Sequence, residues 1–184
     1  NLPLEDELKK LTSDYAKILA VFNYVKQNVA WNGENRRYST NGLKTALEKH
    51  SGNSADMNLL VINLLRDAGV NAYPLLVSTR DNGKINPFYP FIYQFNNVYA
   101  ETEVDGNRYI LDASNPHNPA FMVPWDVQFT DGYLVDKTKS GFISLADTKH
   151  RFRISASMSA DLDEKGMLKG SAYLLAYEYA KNQR

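Results

Sequence analysis

Hydrophobic residues recur every three or four positions through the first part of the chain, a spacing typical of amphipathic helices. One helix is predicted over residues 13–31, with Ser13 as its cap, and a shorter one around residues 43–47. The strongest pattern covers residues 54–68 and stops at Gly69. Its apolar face consists of Met57, Leu60, Val61, Leu64 and Leu65. We expect this segment to be a buried central helix.

After residue 70 the apolar positions alternate with polar ones, which predicts strands. Residues 98–104 and 108–111 flank Asp105-Gly106, a strong signal for a β-hairpin. A second hairpin is predicted within residues 152–177, where the alternation is interrupted by a polar turn ending at Gly166. The order of helices and strands therefore predicts an α+β fold, with the central helix packed on an antiparallel sheet.

The predicted elements also suggest a division of the chain. Residues 1–145 contain the helices and the first strands, and they are predicted to form one domain. Residues 146–184 contain only the last hairpin, which we interpret as a fragment of a following β domain. Adjacent β domains of the same chain are accordingly expected partners.

Charge excludes several classes of function. The 184 residues include 21 Lys+Arg and 21 Asp+Glu, so the formal net charge is zero. Proteins that bind nucleic acids or anionic membrane surfaces carry an excess of Lys and Arg, so neither partner is expected. No segment approaches the roughly 18–20 consecutive apolar residues of a membrane-spanning helix. The sequence starts at Asn1, which is compatible with a signal peptide that has been removed.

The sequence contains no cysteine and three histidines. Disulfides, thiolate metal sites and cysteine nucleophiles are therefore excluded. The carboxylates lack the spacing of a calcium loop, and no glycine-rich phosphate loop is present. We expect neither a metal site nor a cofactor.

Three short motifs occur in an informative order. Residues 52–56, Gly-Asn-Ser-Ala-Asp, open the central helix, and residues 95–98, Phe-Asn-Asn-Val, open a strand. Residues 109–114, Tyr-Ile-Leu-Asp-Ala-Ser, close the next strand. This order resembles the transglutaminase-like superfamily, which has a papain-like core and the patterns Gly-x-Cys-x-Asp, Asn-His-Val and Leu-Asp-x-Thr/Ser. The family's Leu-Leu-Arg-x-Ala-Gly pattern also has a match, at residues 64–69, and the resemblance covers roughly residues 13–134.

The resemblance implies a catalytic triad with two of its three members replaced. In the family a Cys at a helix N-terminus attacks a carboxamide, a His transfers the proton, and an Asp orients the His. These roles fall on Ser54, Asn97 and Asp112 in this sequence. An amide cannot take up the proton of a Ser hydroxyl, because it is not basic at neutral pH. The resemblance therefore implies a Cys-less, catalytically degenerate member of the family.

Another residue could replace the missing base, and this alternative stays open. His50 precedes Ser54 by four residues, and His117 follows Asp112 by five. Either histidine is also explained as an ordinary loop residue. With His117 as a relocated base, Ser54 would make the protein an amide-bond hydrolase of the peptidase type.

Two further cleft candidates are Trp31 and Asp56. Trp31 matches a position where such folds often place an aromatic wall, although a core role explains it equally well. Asp56 in the first helical turn is also explained by the helix dipole, and Ser54 by helix capping. The aromatic residues of segment 88–95 are interpreted as core and loop packing or as the lining of a peptide or glycan groove: Phe88, Tyr89, Phe91, Tyr93 and Phe95.

Together these arguments predict a non-catalytic binding or scaffolding module. Its expected ligand is a peptide, a glycopeptide or a peptidoglycan-like chain in the old cleft. The resemblance also implies a multi-domain, exported bacterial protein, located in the periplasm or at the cell surface.

Overall fold

The computed structural model describes residues 3–89 and 91–182. The chain divides into two compact units, Asn1–Asp147 and Thr148–Arg184. The first is an α+β unit with four helices and seven strands among its described residues. The second contains one β-hairpin. That this hairpin belongs to a following β domain stays a prediction.

The helices of the first unit lie close to the positions that the hydrophobic pattern predicts, and one further helix precedes them. They are α1 (Pro3–Leu8), α2 (Asp14–Asn28), α3 (Leu43–Lys49) and α4 (Ser54–Asp67). Ser13 caps α2 as predicted, since its hydroxyl accepts a hydrogen bond from the Ala16 amide at 3.4 Å. The helix ends three residues earlier than predicted, because Val29 already has extended backbone angles.

The two residues after Val29 form a short strand instead of a last helical turn. Strand β1 (Ala30–Trp31) pairs in parallel with β2 (Ser51–Gly52). This pairing brings Trp31 beside Gly52, directly before the N-terminus of α4. It therefore fixes the position of the aromatic side chain relative to the candidate site.

Five antiparallel strands form the sheet of the first unit. They are β3 (Ala72–Val77), β4 (Asn97–Val104), β5 (Asn107–Leu111), β6 (Asp131–Leu134) and β7 (Gly141–Ser144), in the spatial order β5-β4-β3-β6-β7. The hairpin of β4 and β5 was predicted, whereas β6 and β7 were not, because four residues are too few to show an alternation. Leu111 pairs with Ala100, so the end of β5 lies beside the start of β4.

Helix α4 is the buried central helix that the sequence predicts. Met57, Val61 and Leu65 are each at most 2% exposed, and they belong to a core that also includes residues of α2 and of the sheet. A second apolar cluster lies around Leu75 and Tyr99. The core thus holds the N-terminus of α4 against the start of β4.

The aromatic segment that follows β3 is mostly exposed. Phe88, Tyr89, Phe91 and Tyr93 are each more than half exposed, so the core part of the predicted packing is wrong for these four side chains. Phe95 is buried, as that interpretation requires. Phe91 and Tyr93 pack on each other in the loop, with ring centres 5.2 Å apart. A short 3-10 helix, Ile92–Gln94, connects the segment to β4.

The second unit consists of β8 (Phe152–Leu162) and β9 (Leu168–Glu178), which pair along their whole length. The predicted hairpin is therefore confirmed, with one residue of difference in the second strand. In the described part of the chain, no helix is long and apolar enough to cross a membrane.

Gly52 offers a test of how tightly α4 is seated. A Cβ atom at this position would lie 2.8 Å from the Asp56 Cβ and 3.2 Å from the Ala46 Cβ. Gly52→Ala should lower the free energy of unfolding by about 1–3 kcal/mol, since the start of α4 must shift. Gly141→Ala is the matched control, because no atom lies within 4 Å of its added Cβ. Equal unfolding curves for the two variants would contradict this account.

Candidate functional site

The N-terminus of α4 begins with a complete capping box. Asn53 is the N-cap residue: its side chain accepts from the Asp56 amide at 2.8 Å, and its own amide donates to Asp56 Oδ2 at 3.0 Å. Ser54 is therefore a first-turn residue, and the interpretation of Ser54 as the N-cap is wrong. Asp56 also accepts a hydrogen bond from the Ser39 hydroxyl at 2.5 Å. Its contacts are those of a structural residue at the helix start.

Ser54 is completely buried, and both hydrogen-bonding functions of its hydroxyl are occupied. The hydroxyl donates to Asn97 Oδ1 at 2.7 Å and accepts from the Arg36 amide at 2.9 Å. A longer contact of 3.3 Å joins it to the Arg36 carbonyl oxygen. The Ser54 amide donates to the Glu34 carbonyl oxygen at 3.0 Å. The segment around Arg36 thus covers the hydroxyl to which the sequence resemblance assigns the nucleophile position.

Asn97 is the direct partner of Ser54, as the predicted triad requires. It is the first residue of β4 and is 1% exposed. Its Oδ1 atom accepts from the Ser54 hydroxyl and from the Val98 amide, the latter at 2.9 Å. Because a backbone N–H can only donate, this second bond fixes which amide atom is the oxygen. Within the described residues, the Asn97 Nδ2 atom has no hydrogen-bond partner.

The carboxylate of Asp112 follows β5 and is held by neutral donors other than Asn97. Its Oδ1 accepts from the Ser114 amide at 3.0 Å, the Ser114 hydroxyl at 2.6 Å and Asn58 Nδ2 at 3.0 Å. Its Oδ2 accepts from Asn118 Nδ2 at 3.2 Å. The structure therefore brings Ser54 and Asn97 together, while Asp112 belongs to a neighbouring hydrogen-bond network.

Asn58 connects these two networks, and sequence reasoning missed it. It is completely buried one turn after Ser54 on α4. Its Nδ2 donates to Asp112 and to the Val98 carbonyl oxygen, and its Oδ1 accepts from the Ala113 amide at 2.7 Å. An Asn next to Met57 in an apolar helical run is a signal that could have identified this buried polar link.

A second missed pair consists of Tyr99 and Asp126. The Tyr99 hydroxyl donates to Asp126 Oδ2 at 2.6 Å, while the buried Asp126 Oδ1 has no partner among the described residues. Burial raises the pKa of Asp126 to about 6, and the nearby Asp112 and Asp81 carboxylates add to this, whereas the Tyr99 hydrogen bond opposes it. Burial also raises the pKa of Tyr99 well above its usual value. No sequence pattern marks Asp126, which lies in a short 3-10 turn.

These groups surround an open cavity of about 270 Å³. Its lining combines one indole ring with amide, hydroxyl and carboxyl side chains: Trp31, Asn35, Asn97, Tyr99, Asp112, Ser114, Asn115, Pro116 and Asp126. Trp31 is 44% exposed, and its Nε1 donates to the Glu34 carbonyl oxygen at 3.0 Å. Trp31 thus forms an aromatic wall of this cavity, whereas Ser54 does not belong to the cavity lining.

The two candidate bases have no hydrogen bond to Ser54. The ring of His50 contacts the Asn28 carbonyl oxygen at 2.8 Å, and the residue ends α3. His117 is exposed, and its backbone amide donates to Asn115 Oδ1 at 2.9 Å. Across the described ranges, no group of three or more His, Asp or Glu residues is placed to hold a metal ion.

Comparison with known proteins identifies a sequence family and a similar fold. The family model of the transglutaminase-like superfamily matches residues 3–111. A solved structure of a protein from Parabacteroides distasonis, described as a proposed protease, is similar with a TM-score of 0.56 and 15% identity. The match covers 78% of this chain and 27% of that protein, and it shows the fold alone. Among curated proteins, none matches this chain.

The environment of Asp126 predicts a dependence of stability on pH. An acid whose pKa is raised in the folded state favours folding below its ordinary pKa and loses that contribution as the pH rises through the raised value, here about 6. Asp126→Asn stays neutral, so the free energy of unfolding of the variant relative to wild type should increase by about 1–3 kcal/mol between pH 4.5 and pH 7.5.

Urea unfolding at the two pH values measures this difference. Asp131→Asn, at an exposed carboxylate of β6, is the control and should show no comparable increase. If wild type and Asp126→Asn change equally with pH, the buried carboxyl is not the cause.

Proposed function

The chain belongs to the transglutaminase-like superfamily, and we propose that it is a member that binds a ligand without catalysing a reaction. The observation that carries this proposal is the hydrogen bond from the buried Ser54 hydroxyl to Asn97 Oδ1. In this bond the hydroxyl donates to an amide oxygen, which is not a base at neutral pH. A Ser hydroxyl without a base is a poor nucleophile.

Two further features support a non-catalytic role. The backbone of Arg36 covers Ser54, so a carbonyl carbon has no direct approach to the hydroxyl. Asp112 orients no imidazole, because its carboxylate is bound by Asn58, Ser114 and Asn118. When members of a catalytic unit are lost, the remaining ones retain little of the rate enhancement.

The cavity beside Asn97 supports the binding part of the proposal. Its lining includes Asn97 and Asp112, two positions that the sequence resemblance implies for the triad, together with the ring of Trp31. A peptide, a glycopeptide or a peptidoglycan-like chain is the proposed ligand. By resemblance we also propose that the domain belongs to a multi-domain, exported bacterial protein in the periplasm or at the cell surface.

The alternative is an amide-bond hydrolase that uses Ser54 with His117 as a relocated base. It requires the segment around Arg36 to move away from the hydroxyl and the exposed His117 to approach it. The description of the Parabacteroides distasonis protein as a proposed protease makes this alternative worth testing.

A turnover assay distinguishes the non-catalytic binding function from the amide-bond hydrolase. We expect no ammonia release from glutamine donors and no cleavage of peptide substrates, either by wild type or by Ser54→Ala, since Ser54 has no base. Ser157→Ala, at an exposed position of β8, is the control for a Ser→Ala substitution away from the candidate site. Turnover by wild type and Ser157→Ala that is lost in Ser54→Ala would overturn the proposal.

A double variant tests whether Ser54 and Asn97 occupy the nucleophile and base positions. The 2.7 Å contact between them predicts that a thiol and an imidazole would form a pair in Ser54→Cys/Asn97→His. The imidazole and the helix N-terminus should together lower the thiol pKa. Thiolate absorbance at 240 nm should therefore appear at lower pH than in Ser54→Cys alone, and identical titrations would contradict the assignment.

A further inference from the structure

Two polar atoms at the cavity lack hydrogen-bond partners within the described residues. One is a donor, Asn97 Nδ2, and the other is an acceptor, Asp126 Oδ1. The Asp126 oxygen is buried, and a buried polar atom without a partner costs about 1–3 kcal/mol, so native proteins rarely leave one unsatisfied without a reason. Both residues line the cavity, so a bound ligand can bond the Asn97 amide and the Asp126 carboxyl group.

Neither atom can be satisfied by a simple rearrangement of its side chain. Rotating the Asn97 amide would turn its NH2 group towards the Val98 N–H, and two donors cannot bond each other. Asp126 is held through its other oxygen by Tyr99 at 2.6 Å. The donor and the acceptor are therefore preorganised, which lowers the entropic cost of binding.

The charges around the cavity argue against an anionic ligand. None of the described residues that line it is Lys, Arg or His. The nearby cations are engaged elsewhere, since Lys26 donates to the Asn118 carbonyl oxygen at 2.8 Å and Arg80 lies 4.5 Å from the ring centre of Trp125. A cation would suit Asp126 but would face the Asn97 donor. A hydroxyl group donates and accepts, so it fits both atoms.

The volume of the cavity and the indole ring of Trp31 restrict the class of ligand further. About 270 Å³ is below the roughly 300–1,000 Å³ of cavities for drug-sized ligands, which favours a single ring over an extended chain. The Trp31 indole is fixed through its Nε1 and remains 44% exposed, so it offers a flat apolar face. The exposed amides of Asn35 and Asn115 add polar groups to the lining.

We propose that this cavity binds a neutral pyranose ring of a glycan, with hydroxyl groups on Asn97 Nδ2 and on the Asp126 carboxyl group and the ring against Trp31. This inference rests on the proposed binding function and specifies its ligand. The peptide part of a glycopeptide then lies outside the cavity. Ser54 contributes by fixing the orientation of the Asn97 amide and has no contact with the sugar.

Calorimetric titration with neutral trisaccharides tests the proposal, with chitotriose, cellotriose, maltotriose and mannotriose as probes. At least one should bind saturably to wild type. Trp31→Ala and Asp126→Ala should each weaken that binding about tenfold or more, because each removes one side of the site. Tyr93→Ala is the matched control, since Tyr93 is 69% exposed and does not line the cavity. Its affinity should equal that of wild type.

The pH dependence distinguishes a sugar from an amine. The carboxyl of Asp126, which faces Tyr99, Asp112 and Asp81, becomes protonated below about pH 6. A hydroxyl can donate to the carboxylate or accept from the acid, so sugar affinity should change less than about threefold between pH 5 and pH 8. Binding of cadaverine, the amine probe, would instead be lost at pH 5.

Further outcomes would overturn the inference. Sugar binding that Trp31→Ala and Asp126→Ala leave unchanged places the ligand elsewhere. Binding of cadaverine or of uncharged capped tripeptides without any trisaccharide shows that the glycan assignment is wrong, while the proposed binding function stands. If no probe binds, both the glycan assignment and the binding role fail. Turnover in the substrate assay would overturn the non-catalytic proposal by itself, because the titrations measure binding at equilibrium.

Discussion

The start of α4 imposes the strictest constraint on this fold, because it buries polar side chains in an otherwise apolar core. Asn53, Ser54, Asp56 and Asn58 are all at most 3% exposed. Each needs a partner inside the protein, since an unsatisfied buried polar group costs about 1–3 kcal/mol. Their partners come from β4, from the turn after β5 and from the segments before α3 and α4. The constraint thus ties together segments that are distant in sequence.

Ser54 and Asn97, to which the resemblance assigns the nucleophile and base positions, are well suited to satisfying buried polar groups. A Ser hydroxyl donates and accepts one bond each in a small volume, as Ser54 does between Asn97 and Arg36. The amide oxygen of Asn97 accepts two bonds, from Ser54 and from the Val98 amide. A neutral imidazole nitrogen accepts only one. An Asn at this position therefore accepts one hydrogen bond more than a neutral imidazole nitrogen would, and the second bond fixes the amide at the start of β4.

The sequence predicts the central helix, the first hairpin and the pairing of Ser54 with Asn97, because each depends on periodicity, turn residues or a local motif. It does not predict β6 and β7, which are short and are defined by their neighbours in the sheet. It also misses Asn58 and Asp126, whose roles arise only when distant segments meet. Asp112 shows the same limit, because the motif predicts its place directly after a strand but not its hydrogen bonds to Asn58, Ser114 and Asn118.

The structural role of Ser54 and the proposed binding role of the cavity depend on one arrangement. With Oδ1 of Asn97 held by two donors, the NH2 group of the amide has no hydrogen-bond partner among the described residues. Asp126 is oriented by Tyr99 through Oδ2, and its Oδ1 has no hydrogen-bond partner in the same described ranges. Proton transfer would require such groups to exchange protons with a base. Here they are fixed, and fixed donors and acceptors favour selective binding over proton transfer.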